Sequence, residues 1–122
     1  MGFIAAGFSN GAGMAEHVAT ERPVAGAILL SGALPLEMFG AQQWPRGVSA
    51  QIHYAVDDPF RRQEAIDALA ASIRSANGGV EIFDYPCIGH LFTDPTLPEE
   101  FYRDSAETLW ARVLDFCGSR GR

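Results

Sequence analysis

Short apolar runs that alternate with helical patterns constrain this fold more than any other feature of the sequence. Val24 to Leu30 is continuously apolar, which is typical of a strand buried on both faces of a parallel sheet. Three further short runs have the character of strands: Phe3 to Gly7, Gln51 to Ala55 and Val80 to Tyr85. The sequence therefore predicts an α/β fold with about four mostly parallel strands joined by crossover helices.

Three other segments are predicted helices, and residues 31–48, rich in Gly and Pro, are a predicted loop with a short helix. Ala12 to Thr20 is rich in small residues and follows the first strand. A second helix is expected from Phe60 to about Asn77, and a third from Pro98 to about Cys117. The apolar stripe of the second helix consists of Ile66, Leu69, Ala70 and Ile73. The apolar stripe of the third helix consists of Tyr102, Ala106, Leu109, Val113 and Phe116. Glu99 and Glu100 are suited to the first turn of the third helix.

Length and composition predict one globular domain over residues 1–122. A chain of 122 residues with 48% hydrophobic and 20% charged residues is sufficient for a single core. No apolar run approaches the roughly 20 residues that cross a membrane. The amino terminus lacks the basic flank of a secretory signal. We therefore expect no membrane association.

Charge and cysteine content narrow the possible partners. The net charge is −6 and the nine basic residues are scattered, so a nucleic-acid partner has no basic patch to bind. Cys87 and Cys117 lie far apart and match no metal-binding spacing. A cytoplasmic protein with reduced thiols is the simplest interpretation, although the sequence leaves a disulfide open.

Gly7-Phe8-Ser9-Asn10-Gly11 is a G-x-S-x-G motif between a predicted strand and a predicted helix. A serine at such a tight turn has a strained backbone and a hydroxyl that projects from the sheet edge. The flanking glycines are expected to prevent Cβ collisions with neighbouring backbone. The following helix directs its free N–H groups to the same place, which favours a developing oxyanion. A glycine-rich turn whose serine only caps the helix is the alternative; no nucleotide-binding glycine motif is present.

A serine hydroxyl needs a base to accept its proton, and His90 is the best placed of three histidines. It follows Gly89, which is expected to permit an unusual backbone conformation, just past the carboxyl end of a predicted strand. Ligand sites of open α/β sheets collect at that edge. His17 lies inside the first helix and is predicted to be a surface or packing residue. His53 lies mid-strand and is predicted to be a core residue.

Asp57 and Asp58 follow another strand at its carboxyl end, where one of them could orient the imidazole. The pair also allows one aspartate to cap the helix expected near Phe60, so the residues alone leave both open. The order Ser, Asp, His is that of α/β-hydrolases. A thiol enzyme using Cys87 is a poor alternative: this cysteine is near His90 in sequence, but it has no tight strand-to-helix turn or helix amino terminus to lower the pKa of its thiol.

The chain resembles the dienelactone hydrolase family of α/β-hydrolases in three stretches: Gly7 to Ala12, Ile52 to Phe60, and Phe83 to Phe92. The resemblance spans nearly the whole chain and keeps the motif order. It implies Ser9 as nucleophile, His90 as base and Asp58 as acid. Asp58 is preferred over Asp57 because the family's aspartate lies two residues before an aromatic residue.

The resemblance also has implications for the rest of the site and for the extent of the chain. The backbone N–H of Asn10 would bind the oxyanion, and Leu91 and Phe92 would form walls. Dienelactone hydrolase itself has a cysteine where this chain has Ser9, which favours a serine esterase-like relative. Family members carry further strands before this turn, including a second oxyanion donor, whose loss typically costs about 100- to 1,000-fold in rate. We therefore expect a partial α/β-hydrolase fold, truncated at its amino terminus, with an exposed sheet edge through which copies could pair.

Two hypotheses of function follow. The first is a serine hydrolase that acts on a small ester or lactone through Ser9, His90 and Asp58, without a metal or organic cofactor. The second is a non-catalytic α/β-hydrolase-fold fragment that self-associates or needs a complementary chain.

Overall fold

The continuously apolar run from Val24 to Leu30 forms an inner strand of a four-stranded parallel sheet, in which the strands lie side by side in the order in which they occur along the chain. The computed structural model describes residues 3–120. Its elements are β1 (Phe3–Phe8), α1 (Asn10–Glu21), β2 (Val24–Leu30), a short 3₁₀ helix (Leu36–Phe39), β3 (Ser49–Ala55), α2 (Gln63–Ser75), β4 (Val80–Tyr85) and α3 (Arg103–Arg120). The α/β fold and the predicted order of elements are confirmed.

Successive residues of β2 point to opposite faces of the sheet, and both faces are covered. Ala27 and Leu29 pack with the small and aliphatic residues of α1 and α2, whereas Ile28 and Leu30 pack against α3. All four of these side chains are buried. The sheet is therefore the middle of three layers. Because both of its faces are buried, the sequence of β2 does not alternate between apolar and polar residues.

The helices begin at positions that differ from the predictions by a few residues. α1 begins at Asn10, before Ala12, and α2 begins at Gln63, after Phe60. The largest difference is α3, which begins at Arg103 and not at Pro98. The reason is local: the chain first turns, with the Glu100 and Phe101 N–H groups both donating to the Leu97 carbonyl.

Two acidic residues and one aromatic residue expected in α3 consequently lie before it. Glu99 is exposed, while Glu100 Oε1 accepts the Leu91 N–H at 2.9 Å. Tyr102 is 44% exposed, so it does not belong to the buried stripe. The remaining predicted stripe residues are buried, namely Ala106, Leu109, Val113 and Phe116.

None of the helices within residues 3–120 has both the length and the apolar character that are needed to cross a bilayer.

The packing of α3 on the sheet predicts a difference between two leucines of the same helix. Leu109→Ala should lower the free energy of unfolding by about 2–5 kcal/mol, because Leu109 is fully buried and its removal leaves a cavity. Leu114 is 70% exposed, and Leu114→Ala should change that free energy by less than about 0.5 kcal/mol. Urea unfolding of both variants measures the difference; similar losses would contradict this placement of α3.

Candidate active site

The turn between β1 and α1 holds Ser9 in a strained backbone conformation. Ser9 has φ 54° and ψ −117°, a region that non-glycine residues rarely occupy. Its N–H donates to the Leu30 carbonyl at 2.7 Å, and its carbonyl accepts the Ala12 N–H at 2.9 Å. The turn is therefore tied both to the neighbouring strand and to the helix that follows.

Of the two glycines that flank this turn, only Gly7 is required by close contact. A Cβ at Gly7 would lie 2.0 Å from the Gly11 carbonyl oxygen, whereas a Cβ at Gly11 would meet no atom within 4 Å. The prediction that both glycines prevent backbone collisions is thus right for Gly7 and wrong for Gly11.

The Ser9 side chain bonds to a histidine and not to the helix. Ser9 Oγ lies 2.7 Å from His90 Nε2, across 81 residues of sequence. The side chain makes no capping hydrogen bond to α1. The alternative of a serine that only caps the helix is therefore wrong.

The opposite ring nitrogen of His90 contacts a buried carboxylate. His90 Nδ1 lies 2.6 Å from Asp58 Oδ2, and the Asp58 side chain is inaccessible to solvent. An ionised carboxylate only accepts hydrogen bonds, so this contact assigns the proton to Nδ1 and leaves Nε2 to accept the Ser9 hydroxyl.

The second oxygen of Asp58 closes the turn that follows β3. Asp58 Oδ1 accepts the Phe60 N–H at 2.7 Å. Because α2 begins only at Gln63, this bond is a turn contact and not a helix cap. Asp57 is exposed, so Asp58 is the aspartate of the pair that the structure places against His90.

The backbone around His90 is fixed by two neighbouring segments. Ser31 Oγ donates to the His90 carbonyl at 2.6 Å. A Cβ at Gly89 would lie 2.3 Å from the Glu100 carbonyl oxygen. Gly89 does not have a positive φ, so it is required by this close approach and not, as expected, by an unusual backbone conformation.

The other two histidines lie where the sequence predicted. His17 is exposed on α1, with its ring 5.5 Å from that of Phe39. His53 is fully buried between Tyr85 Oη, 2.7 Å from Nδ1, and Gln51 Oε1, 2.9 Å from Nε2. Burial, with a smaller effect of the Arg112 charge, lowers the pKa of His53 to about 4. His53 is therefore a neutral core residue.

A cavity of about 420 Å³ opens beside Ser9 and His90. Asn10 lies on its rim, and as the first residue of α1 it has a backbone N–H without a partner inside the helix. The other lining residues come from two loops and from the end of β3: Ser31, Gly32, Ala33, Leu34, Tyr54, Phe60 and Arg62.

The apolar wall differs from the one expected. Phe92 is 1% exposed and packs in the core, with its ring 5.0 Å from that of Tyr85. The side chain of Leu91 lines a separate depression beside Phe8 and Trp110. The walls of the cavity are instead Leu34, Tyr54 and Phe60, with the Phe60 ring 4.8 Å from that of His90.

Two further groups near the site are held in their protonated forms. Burial, followed by the nearby Asp58 charge, raises the pKa of Tyr54 to about 12. Burial also raises the pKa of the Cys87 thiol, which disfavours the thiolate that a cysteine nucleophile requires. Tyr54 is therefore a neutral phenol at the cavity, and Cys87 is unsuited to nucleophilic attack.

The unequal surroundings of Gly7 and Gly11 give a matched test of the turn. Gly7→Ala should lower the free energy of unfolding by about 3 kcal/mol or more, because the new Cβ must displace backbone. Gly11→Ala should raise it by up to about 1 kcal/mol, because alanine is the better helix former. Thermal unfolding of the two variants provides the comparison; equal effects would contradict the close approach at Gly7.

Solved structures share this architecture over about half of their length. A dienelactone hydrolase-like promiscuous phosphotriesterase, P91, from metagenomic libraries is similar with a TM-score of 0.79 and 19% identity, over 96% of this chain and 52% of that protein. An esterase from Thermogutta terrifontis is similar with a TM-score of 0.61 and 17% identity, over 93% and 55% respectively. At these identities the likeness shows that this chain shares the α/β fold of these proteins over about half of their length.

Sequence comparison leads to the same group of proteins. An Escherichia coli K12 protein named "Putative carboxymethylenebutenolidase" is 33% identical over 63 residues, which are 52% of this chain and 23% of that protein. This chain thus matches only about a quarter of that relative's length. The model of the dienelactone hydrolase family matches residues 2–120. The chain therefore belongs to the dienelactone hydrolase family.

Proposed function

We propose that this protein is a serine hydrolase that cleaves small esters or lactones. The observation that carries the proposal is the continuous chain of contacts from Ser9 Oγ through His90 to Asp58, with distances of 2.7 and 2.6 Å, beside an open cavity. A buried carboxylate, an imidazole and a serine hydroxyl in this order form the arrangement that activates serine for acyl transfer. Family membership independently supports a hydrolase.

The first half of the reaction forms an acyl-enzyme. Ser9 Oγ attacks the carbonyl carbon of the ester while His90 Nε2 takes the hydroxyl proton. Asp58 stabilises the resulting imidazolium through Nδ1, and the Asn10 N–H donates to the oxyanion. When the tetrahedral intermediate collapses, the bond to the leaving oxygen breaks and His90 returns its proton to the departing alkoxide.

The second half releases the acid. A water molecule gives a proton to His90 Nε2 as its oxygen attacks the acyl carbon. Collapse of this second intermediate breaks the bond to Ser9 Oγ, which regains the proton from His90. The enzyme is restored, and the water has been added across the ester bond. A lactone follows the same steps, but its leaving alcohol stays attached to the acid product.

The cavity favours compact substrates with an apolar part. Its volume of about 420 Å³ is near the lower end of typical small-molecule sites. Leu34, Tyr54 and Phe60 provide apolar and aromatic surface close to the reacting hydroxyl. The name of the Escherichia coli relative denotes action on a butenolide, which is a small lactone. We extend that substrate class to this chain.

The adjacent residues Asp57 and Asp58 give a matched test of the proposed role of Asp58. Asp58→Asn should lower kcat for p-nitrophenyl acetate by about 10,000-fold, because the amide no longer favours the Nδ1-protonated tautomer. Asp57→Asn removes the same charge one residue earlier, on an exposed side chain, and should leave kcat unchanged. Steady-state hydrolysis by both variants and the parent measures this; equal losses would contradict the role of Asp58.

The second candidate function is a non-catalytic fragment that self-associates, and the edge strand β1 favours it. Within residues 3–120, β1 pairs with β2 alone, and Phe3 and Phe8 are 56% and 38% exposed. An unpaired strand edge with apolar side chains is a template for pairing with another chain. If this is the function, sedimentation should detect a dimer and the parent protein should not hydrolyse p-nitrophenyl esters. A monomer that turns over esters would exclude this candidate.

A further inference from the structure

A buried glutamate on α1 has no role in the chemistry proposed above. Glu16 lies on α1, about two turns beyond Ser9, and its exposure is 0%. Glutamate is almost never fully buried unless it is paired. Among residues 3–120 no basic side chain forms an ion pair with Glu16, which makes this carboxyl an unusual feature of an otherwise apolar layer.

The carboxyl group makes one hydrogen bond, and that bond reaches the wall of the cavity. Glu16 Oε1 accepts the Leu34 N–H at 2.7 Å. Glu16 Oε2 is buried and has no hydrogen-bond partner among the described residues. Burial raises the pKa of Glu16 to about 8, and the hydrogen bond from the Leu34 N–H acts in the opposite direction. The group is therefore a neutral acid at pH 7.

Leu34 ends a short wall segment, residues 31–34, that contacts both Ser9 and His90. At its start, the Ser31 hydroxyl donates to the His90 carbonyl. In its middle, a Cβ at Gly32 would lie 2.6 Å from the Ser9 carbonyl oxygen, so the segment packs directly on the strained turn. All four of its residues line the cavity. Glu16 therefore fixes the far end of a segment whose near end contacts the base.

We propose that Glu16 is a positioning residue that fixes the wall segment through the Leu34 N–H and thereby sets how tightly the cavity holds the substrate. This role rests on the proposed hydrolase function. Glu16 itself transfers no proton to the substrate. Its loss is expected to affect KM, because the wall moves, more than kcat, because the contacts of His90 to Ser9 and Asp58 remain.

Few other groups can titrate near Glu16, so its ionisation can be identified. β1 and β2 contain no titratable residue. Tyr54 of β3 interacts with Glu16 electrostatically and remains a neutral phenol. His17 and Glu37, on α1 and in the 3₁₀ helix, are both exposed.

The raised pKa of Glu16 also determines whether its contribution to the free energy of unfolding increases or decreases with pH. Between the unfolded value of 4.5 and the folded value of about 8, the folded state binds more protons than the unfolded state. The contribution of Glu16 to stability therefore decreases as the pH rises through this window and is constant above it. A glutamine at this position would remove that dependence.

The test compares three substitutions on one helix. Glu16→Gln keeps an oxygen acceptor for Leu34 and should leave KM at pH 7 unchanged. Glu16→Leu leaves the Leu34 N–H unpaired and should raise KM for a p-nitrophenyl ester by about tenfold with little change in kcat. Glu21→Gln, on an exposed side chain at the end of α1, is the control and should change neither constant. If Glu16→Leu and Glu16→Gln give the same KM, the positioning role is overturned.

NMR tests the same proposal without turnover. In the parent, the Glu16 carboxyl carbon should titrate near pH 8 and the Leu34 amide resonance should shift with the same midpoint; both changes should disappear in Glu16→Gln. A Glu16 carboxyl that titrates near 4.5, or a Leu34 amide that does not follow it, would overturn the proposal. If the parent hydrolyses no ester but the Leu34 amide follows Glu16, the hydrolase function fails while the anchoring of the wall segment stands.

Discussion

The strained backbone of Ser9 is the feature on which the rest of the site depends. A residue at φ 54° persists only where its surroundings hold it. Here the Leu30 carbonyl accepts its N–H, and the missing side chain of Gly7 lets β1 and α1 approach each other. This turn directs the Ser9 hydroxyl away from the helix amides and toward His90.

The parallel sheet supplies the second constraint, because its carboxyl edge gathers residues that are distant in sequence. Ser9 follows β1, Asp58 follows β3 and His90 follows β4, so three strand ends bring three functional groups within hydrogen-bonding distance. The wall segment, which follows β2, contacts both the turn at Ser9 and the backbone of His90. The segment that follows each of the four strands therefore contributes to the lining of the cavity, as expected for an open α/β fold.

Local patterns in the sequence were sufficient to predict the strands, Ser9 and His90, whereas Asp58 was preferred over Asp57 only through the resemblance to the family. The continuous apolar run of β2 and the glycines around Ser9 act over a few residues, so periodicity and motif reveal them. Tertiary contacts decided what could not be predicted. Phe92 lies two residues after His90, but its side chain packs in the core. Helix α3 begins late because the chain first turns near Leu97. The buried Glu16 has no sequence signal, since its partner is a backbone amide 18 residues away in an irregular loop.

The central claim is that His90 activates the hydroxyl of Ser9, and covalent labelling tests it most directly. A fluorophosphonate reacts with an activated serine and adds a defined mass, and peptide mass spectrometry locates the adduct. We expect one adduct, on Ser9, in the parent protein and none in either Ser9→Ala or His90→Ala. A parent protein that remains unlabelled while folded, or an adduct that persists after Ser9→Ala, would contradict the claim.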